Sequence, residues 1–356
     1  MISQSILDIL SESGRKNWFT FQLLDKNEHV KIEKLECVES FSITYSSFSD
    51  IRSTASFNIS EEPSICYTGD MIKVTLHTYV RNTYLSIPLG VFVLEKGSGE
   101  KNGNTTSILT DTATVSGYSK LNLYKYDKFQ DDYEINNGTT IYDEIIRLLN
   151  TQNVKIPASS KQLRNNKVFE MNTTKLEAIN YLLDALGYTS LGIDGDGYFT
   201  AAPYVLPQDK EITFEFTDEV NQITLEQFQY TINTSEVYNI FTGYNSELGL
   251  KYTYVNDRAD SAISTTNWFN RCDEPEEFQE VSNAIELQSK VKEKAARSSQ
   301  KYCTVTFKSL LIPPLNDLEA VLFKNQKINM KAEWTGFSIN SNEPYMQHTI
   351  RQVMYL

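Results

Sequence analysis

Between residues 18 and 118 the sequence alternates apolar and polar residues in seven short runs, spaced at roughly ten residues. The runs cover 18–24, 29–35, 39–45, 54–60, 71–79, 87–94 and 107–118. Phe41, Ile43 and Tyr45 share one face of the third, and Ala55, Phe57 and Ile59 one face of the fourth. A period of two puts every second side chain on the same side of a strand, so each run buries one face and wets the other. Seven such strands bury their apolar faces together only as a sandwich or a barrel.

That pattern stops for one long interval, residues 139–207, which reads helix, connector, helix, hairpin. In 140–150, Ile141, Ile145, Leu148 and Leu149 fall at helical spacing. Thr139 or Thr140 is placed to cap this helix, and Asp143 and Glu144 sit in its first turn, where the macrodipole favours acids. The second helix, 174–186, has Thr173 or Thr174 as its cap and Gly187 as its stop. Two strands then meet at Asp194-Gly-Asp-Gly197. The segment 120–137 reads as a polar, Tyr-rich connection, and residues 1–14 as a short amphipathic helix carrying Ile2, Ile6, Ile9 and Leu10.

Strands resume at 212–216, 223–230, 238–244 and 251–255. Residues 256–280 read as irregular and acidic. A third helix is predicted over 281–301, its narrow face formed by Ala284, Ile285, Gln288, Val291, Lys292, Ala295 and Ala296. A strand at 302–307 follows, and 332–339 and 348–353 close the chain.

The chain has 356 residues, enough for two or three domains and for a core that needs no staple. With 33 Lys and Arg against 46 Asp and Glu, the net charge of −13 excludes a surface that neutralises phosphates or adsorbs to anionic lipid. A conduit for DNA is a different case, because negative walls repel it. Cys37, Cys66, Cys272 and Cys303 are scattered and form neither a zinc nor a disulfide pattern, so buried thiols are expected. The first residues lack a basic n-region and a cleavage site, and no apolar run approaches the roughly 20 residues of a membrane span. A soluble protein made in a cytoplasm is the expectation.

Several of these strands carry a family resemblance. Arg52-Ser-Thr-Ala-Ser-Phe-Asn-Ile, then Gly69-Asp-Met-Ile-Lys-Val, then Ile87-Pro-Leu-Gly-Val-Phe-Val-Leu, resemble the first tube domain of phage tail hub proteins. These are the baseplate hub of contractile tails and the N-terminal structural region of the tail-associated lysin, Tal, of non-contractile ones. Residues 113–119 look like that domain's closing strand. Leu-Gly-Tyr at 186–188, the Asp-Gly turn and Pro203 are similar to the family's helical insert, and Ile312-Pro-Pro-Leu-Asn-Asp317 to its approach to a further strand. The resemblance spans residues 19–353, carried by the order of the motifs. It implies an α+β, β-rich chain of two tube-type β-barrel domains with an inserted helix-helix-hairpin unit. The expected division is 1–118, 119–207 and 208–356, the last holding the long helix 281–301, with the two β-rich halves copies of one barrel.

The same resemblance implies a structural, non-enzymatic subunit of a tail tip or baseplate hub. It implies a homotrimer whose two barrels per subunit make a pseudo-hexameric ring, with the helical unit outside. The implied partners are the distal tail or tube protein, the tape measure protein, and a spike, receptor-binding or lysin component. DNA passes the lumen without specific binding, nothing inserts in a membrane, and the location is the virion tail. Alternative readings are a carbohydrate-binding adhesion module of the tail tip and a degenerate cell-wall hydrolase.

Catalytic patterns are missing from the sequence. His29, His77 and His348 are far apart, each within a predicted strand, and are expected to be partly exposed strand residues. There is no His-Glu-x-x-His, Gly-x-Ser-x-Gly or P-loop. A Cys–His hydrolase pair is expected in an appended C-terminal domain, before which this chain ends. Asp194 and Asp196 resemble the start of a calcium loop, but Val205 stands where an EF-hand needs its Glu, so a hairpin turn is the reading. Asp131/Asp132 and Glu276/Glu277 are read as solvated loop acids rather than a glycosidase dyad. The Asn104 and Asn172 sequons follow from an Asn/Thr-rich composition, and the strand aromatics are read as core. No catalytic, cofactor-binding or metal residue and no cofactor is predicted.

Overall fold

The computed structural model describes residues 14–60, 65, 69–80, 82–100, 112–217 and 223–355. The amphipathic segment predicted at the N-terminus, Cys66 and the start of the seventh run lie outside them.

The first half supplies β1 (Lys16–Leu24), β2 (Val30–Ile32), β3 (Val38–Ser46), β4 (Ser53–Ser60), β5 (Met71–Val80), β6 (Thr83–Glu100) and β7 (Thr112–Ser119). The alternation seen in sequence becomes alternation in burial: Phe57 and Ile59 on β4 are fully buried, while Asn58 between them is exposed. An insert follows: α1 (Leu121–Tyr126), β8 (Tyr133–Ile135), α2 (Ile141–Leu149), β9 (Val154–Lys155), β10 (Lys167–Phe169), α3 (Lys175–Leu186), β11 (Gly192–Ile193) and β12 (Phe199–Thr200). The second half supplies β13 (Phe214–Thr217), β14 (Thr224–Ile232), β15 (Ile240–Asn245), β16 (Leu250–Val255), β17 (Glu276–Glu277), α4 (Ala284–Ser299), β18 (Cys303–Leu310), β19 (Ala320–Lys324), β20 (Asn329–Asn340) and β21 (Tyr345–Gln352). The chain is thus α+β and β-rich, as expected. Among the described residues no helix is long and apolar enough to cross a membrane.

The two halves are not separate sheets. One thirteen-stranded sheet runs β14-β18-β21-β20-β3-β4-β7-β6-β5-β1-β2, with β19 and β13 branching from β20. Antiparallel pairing of β20 with β3, Gly336 opposite Ser46 through Asn340 opposite Ser42, makes the seam between them. Each half curls on itself. Phe19 and Phe21 on β1 lie edge-on to Phe41 on β3, at 4.7 and 5.3 Å between ring centres, although four strands separate them along the sheet. Phe216 on β13 reaches Phe307 on β18 at 4.8 Å in the same way. A single apolar core runs through both halves.

The halves share one topology. In the first, strand order is β3-β4-β7-β6-β5-β1; in the second it is β14-β18-β21-β20-β19-β13. β3, β4, β5, β6 and β7 therefore correspond, in sequence order and in sheet order, to β14, β18, β19, β20 and β21. The irregularities correspond too. The β6–β7 register slips between Leu94 and Lys96, and the β20–β21 register between Trp334 and Gly336. Leu94 N–H donates to the carbonyl of Asp70, just before β5, and Trp334 N–H to that of Glu319, just before β19. The outermost strands differ in direction: β1 is antiparallel to β5 and β13 parallel to β19.

The insert has its own core, including Ile141, Ile145, Leu148, Leu176, Ile179 and Leu183. Thr174 caps α3 in a full capping box, its hydroxyl accepting from Glu177 N–H while the Glu177 carboxylate takes Thr174 N–H. Gly187 ends that helix in the left-handed region, at φ 78°. Thr140 stands at the start of α2, but without a side-chain capping bond. The polar connection expected after β7 contains α1 and β8 instead. Six residues show too little periodicity to betray a helix, and α1 is held by tertiary contact, with Leu121 buried and Tyr124 OH donating to the Leu149 carbonyl at 2.5 Å.

Between β14 and β18 the second half carries a further unit, β15, β16 and β17 under α4, with its own small core around Phe241, Leu287 and Val291. α4 begins three residues later than predicted, because the Asn283 side chain accepts from Ile285 and Glu286 N–H and fixes the start there. Its buried face is Leu287, Val291, Ala295 and Ala296, whereas Ile285, placed on the predicted face, is 79 % exposed.

Candidate functional site

The histidines are the first places to look for chemistry, and two of them are buried rather than partly exposed. His348 on β21 is fully buried among Phe216, Phe307 and Trp334. Trp334 Nε1–H donates to His348 Nδ1 at 3.1 Å. That places the ring proton on Nε2, which donates to Ser309 Oγ at 2.7 Å, and Ser309 in turn donates to the Leu310 carbonyl at 2.6 Å. The pair has Ser–His contact but the opposite polarity to a hydrolase, whose imidazole must accept the serine proton and be oriented by a carboxylate. Burial drops the His348 pKa to about 3, so the ring is neutral. It is a core hydrogen-bond bridge between β18, β20 and β21.

His77 on β5 is also buried, bonded to Thr20 Oγ1 at 2.7 Å and to the Tyr84 hydroxyl. Trp18 stacks on it at 5.4 Å and Tyr84 at 5.5 Å, and both aromatics are partly exposed, contrary to a pure core role. His29 lies in the turn before β2 rather than in a strand, exposed beside Asp25.

The candidate acids are engaged one by one. Asp194 Oδ1 accepts from Asp196 N–H and Tyr198 N–H, forming the hairpin turn, and its Oδ2 meets Lys155 Nζ at 2.6 Å. Asp196 pairs with Lys73 of β5 at 2.9 Å. Asp132 accepts from Met171 N–H, and Asp131 is exposed. Glu276 and Glu277 are not loop acids: they form β17 and line a cleft of about 350 Å³ between the insert and α4. Adjacent strand residues face opposite ways, so Glu276 meets Lys294 at 2.9 Å while Glu277 accepts from Ser246. Among the described residues no group of three His, Cys, Asp or Glu is set to hold a metal. Among the described cysteines only Cys303 is buried; Cys37 is half-buried and Cys272 exposed.

What the molecule does bring together is a junction. The ends of β3 and β4, residues 87–92 of β6, the insert hairpin and the 313–317 connection line a cleft of about 480 Å³. Arg52, in the turn between β3 and β4, ties that turn to the hairpin and the connection. Its side chain is buried, with Nη1 3.6 Å from Asp317 Oδ2 and donations at 3.4 Å to the carbonyls of Leu191 and Ser190. Its backbone sits at φ 58°, a left-handed conformation that a non-glycine residue holds only when its surroundings fix it. Beside it the seam is filled by stacked rings: Tyr45 lies 5.6 Å from Trp334 and 5.7 Å from Phe337. Burial and the nearby Asp317 push the Tyr45 hydroxyl well above its usual range, so it stays protonated. Two glycines allow the close approaches. A Cβ on Gly336 would stand 2.6 Å from the Tyr45 carbonyl oxygen, and one on Gly195 2.2 Å from that of Pro88. Arg52 and Asp317 each stand in one of the family-like motifs of the sequence, and their opposite charges, far apart along the chain, are the only sequence signal of this pairing.

No family model matches the sequence, and no curated protein matches it either. Solved structures do. A tail protein from Neisseria meningitidis is 12 % identical, with 95 % of this chain and 96 % of that one covered at a TM-score of 0.62. A 43 kDa tail protein of prophage MuSo2 from Shewanella oneidensis is 12 % identical, with 94 % and 98 % covered and a TM-score of 0.62. The chain has the fold of phage tail proteins. A prophage tail protein from Listeria monocytogenes aligns similarly, 15 % identical over 93 % and 94 % at a TM-score of 0.58. The tail-protein fold thus covers both β-rich halves and the insert together. In this chain a buried arginine, a ring stack and two glycines at backbone contacts join its parts.

Proposed function

We propose that this chain is a structural subunit of a phage, or phage-tail-like, particle, and that it acts as a hub at the distal end of the tail tube. The reading rests on one observation above the others: the tail-protein fold is built here from two halves of the same topology, already joined side by side in one sheet. Three copies would present six equivalent halves around an axis, matching a sixfold tube. The helical insert lies outside that ring. The distal tail or tube protein binds above, the tape measure protein within, and a spike, receptor-binding or lysin component below. The net charge of −13 per chain suits a bore that DNA traverses without sticking. The role is non-enzymatic: His348 and Ser309, both fully buried, form a bridge in the core.

The purified chain should elute as a trimer in size-exclusion chromatography with light scattering, and negative-stain images should show a ring with a central opening. A monomer at micromolar concentration that also fails to join tail partners would remove this reading. Clearing of cell walls in a zymogram by this chain alone would remove the non-enzymatic part.

A further inference from the structure

The outer face of β1, β5 and β6 carries aromatic rings where a solvated sheet face carries polar side chains. Strand register brings them together. Trp18 lies opposite His77, and His77 opposite Ser86; in the next row Lys16 lies opposite Tyr79, and Tyr79 opposite Tyr84. Residues directly opposite share a face, and the alternate residues Phe19, Leu76 and Ile87 are on the core side. Trp18 is 40 % exposed, Tyr79 40 % and Tyr84 54 %. The ring centres of Trp18, His77 and Tyr84 form a triangle with sides of 5.4, 5.5 and 5.8 Å, and their planes lie within 38° of one another. His77, itself buried, fixes this arrangement. One of its nitrogens is bonded to Thr20 Oγ1 at 2.7 Å and the other to the Tyr84 hydroxyl. Burial lowers its pKa, so the ring is neutral, with one donor and one acceptor nitrogen. With both nitrogens engaged the imidazole is pinned, and Tyr84 is held against it. Tyr79 is anchored as well, its hydroxyl donating to Asn82 Oδ1 at 3.0 Å.

We propose that this patch is a saccharide-binding site, with the C–H face of a pyranose stacked on Trp18 and Tyr84 and its hydroxyls bonded to the exposed rim of Lys16, Asn82 and Ser86. Size selects that occupant first. The insert hairpin seats on Pro88 at one end of the patch, and the turn between β5 and β6 closes the other. Three strands and two rows of side chains remain between them, roughly 10 Å by 7 Å. That is the footprint of about one or two sugar rings, and a small fraction of the roughly 800 Å² per partner in a stable protein interface. Charge selects it next. Lys16 is the one charged side chain among the described residues of the patch, so the row of cations with which a base-stacking platform holds phosphates is missing. Chemistry agrees: pinned rings bordered by hydroxyl, amide and ammonium groups suit a ligand that is apolar on one face and hydroxylated around its edge. The site lies within one half of one chain and needs no neighbouring copy, so it goes beyond the hub reading and is tested separately from it.

Saturation-transfer-difference NMR on the full chain reads the contact directly, with oligosaccharides of glucose, galactose, rhamnose and N-acetylglucosamine as probes and oligothymidine as the nucleic-acid arm. At millimolar sugar, transfer to the C–H protons of at least one saccharide should appear, with a concentration-dependent shift in tryptophan emission that Trp268→Phe retains. Trp18→Ala with Tyr84→Ala should weaken that binding by roughly tenfold or more, while the circular-dichroism spectrum stays that of wild type. Ser86→Arg, at an exposed position opposite His77, should weaken it as much by laying its side chain over the rings, with the stack itself left in place. Absence of transfer to all four sugars, or binding that survives both variants, overturns the site. Transfer to oligothymidine that the same variants abolish shows a base-stacking platform and overturns the saccharide reading. Acrylamide quenching that Trp18→Phe leaves unchanged shows the face already covered in the free protein and overturns it too. None of these results depends on whether the chain is a trimer, so a failed site and a failed hub reading are told apart.

Discussion

Arg52 shows how a single side chain can decide whether three parts of a chain stay together. Arg52→Ala should lower unfolding free energy by about 2 kcal/mol, less than for a fully buried ion pair because Asp317 is partly exposed. Urea denaturation would measure it, and a loss below a few tenths would show that the junction holds without it. His348 sets the pH response. Its folded pKa of about 3 lies below the ordinary 6.5, so the unfolded chain takes up the proton first as pH falls. Its contribution is complete above pH 6.5 and lost as pH drops toward 3, with a slope approaching about 1.4 kcal/mol per pH unit. Stability curves from pH 7 to 4 should flatten in His348→Phe relative to wild type. The sequence could not announce either residue. A histidine in an alternating strand looks the same whether its face is wet or dry, and the buried face of β21 is decided by strands from elsewhere in the chain.

At the level of elements, the signals that sequence carries best are those that act locally. Thr174, Glu177 and Gly187 bracket α3 with capping chemistry that needs no tertiary partner, and the helix lies where that chemistry puts it. Thr174→Ala should cost about 1 kcal/mol and raise hydrogen exchange in the first turn of α3. Exchange unchanged there would mean that packing alone fixes the helix start. Elements stabilised from outside were less legible. α1 has six residues and depends on contact with the rest of the insert, and β17 is two residues added to β15. α4 was visible as a helix, but its inward face was not, since Ala-, Lys- and Glu-rich turns give a weak apolar stripe and the covering sheet chooses the side.

For the whole molecule, the strand-rich halves and the helical interval between them were legible, because alternation and helical spacing differ over long windows. Their sharing of a sheet was not, since pairing of β20 with β3 joins residues about 300 apart and leaves no local trace. Removal of residues 139–207 should expose Val91 and the outer face of β5 and β6, where the hairpin packs, while the core shared by the halves persists. Reduced solubility with retained β-type circular dichroism is the expected result; complete unfolding would show that the insert is needed for the sheet itself. The seam between β3 and β20 also has an arithmetic consequence. Because two equivalent halves leave the ribosome covalently tied and pair within one chain, that contact forms at a rate independent of protein concentration. Any closed ring assembled from this polypeptide therefore contains an even number of halves, so rings of five or seven halves are ruled out by covalent connection before any interface has to discriminate against them.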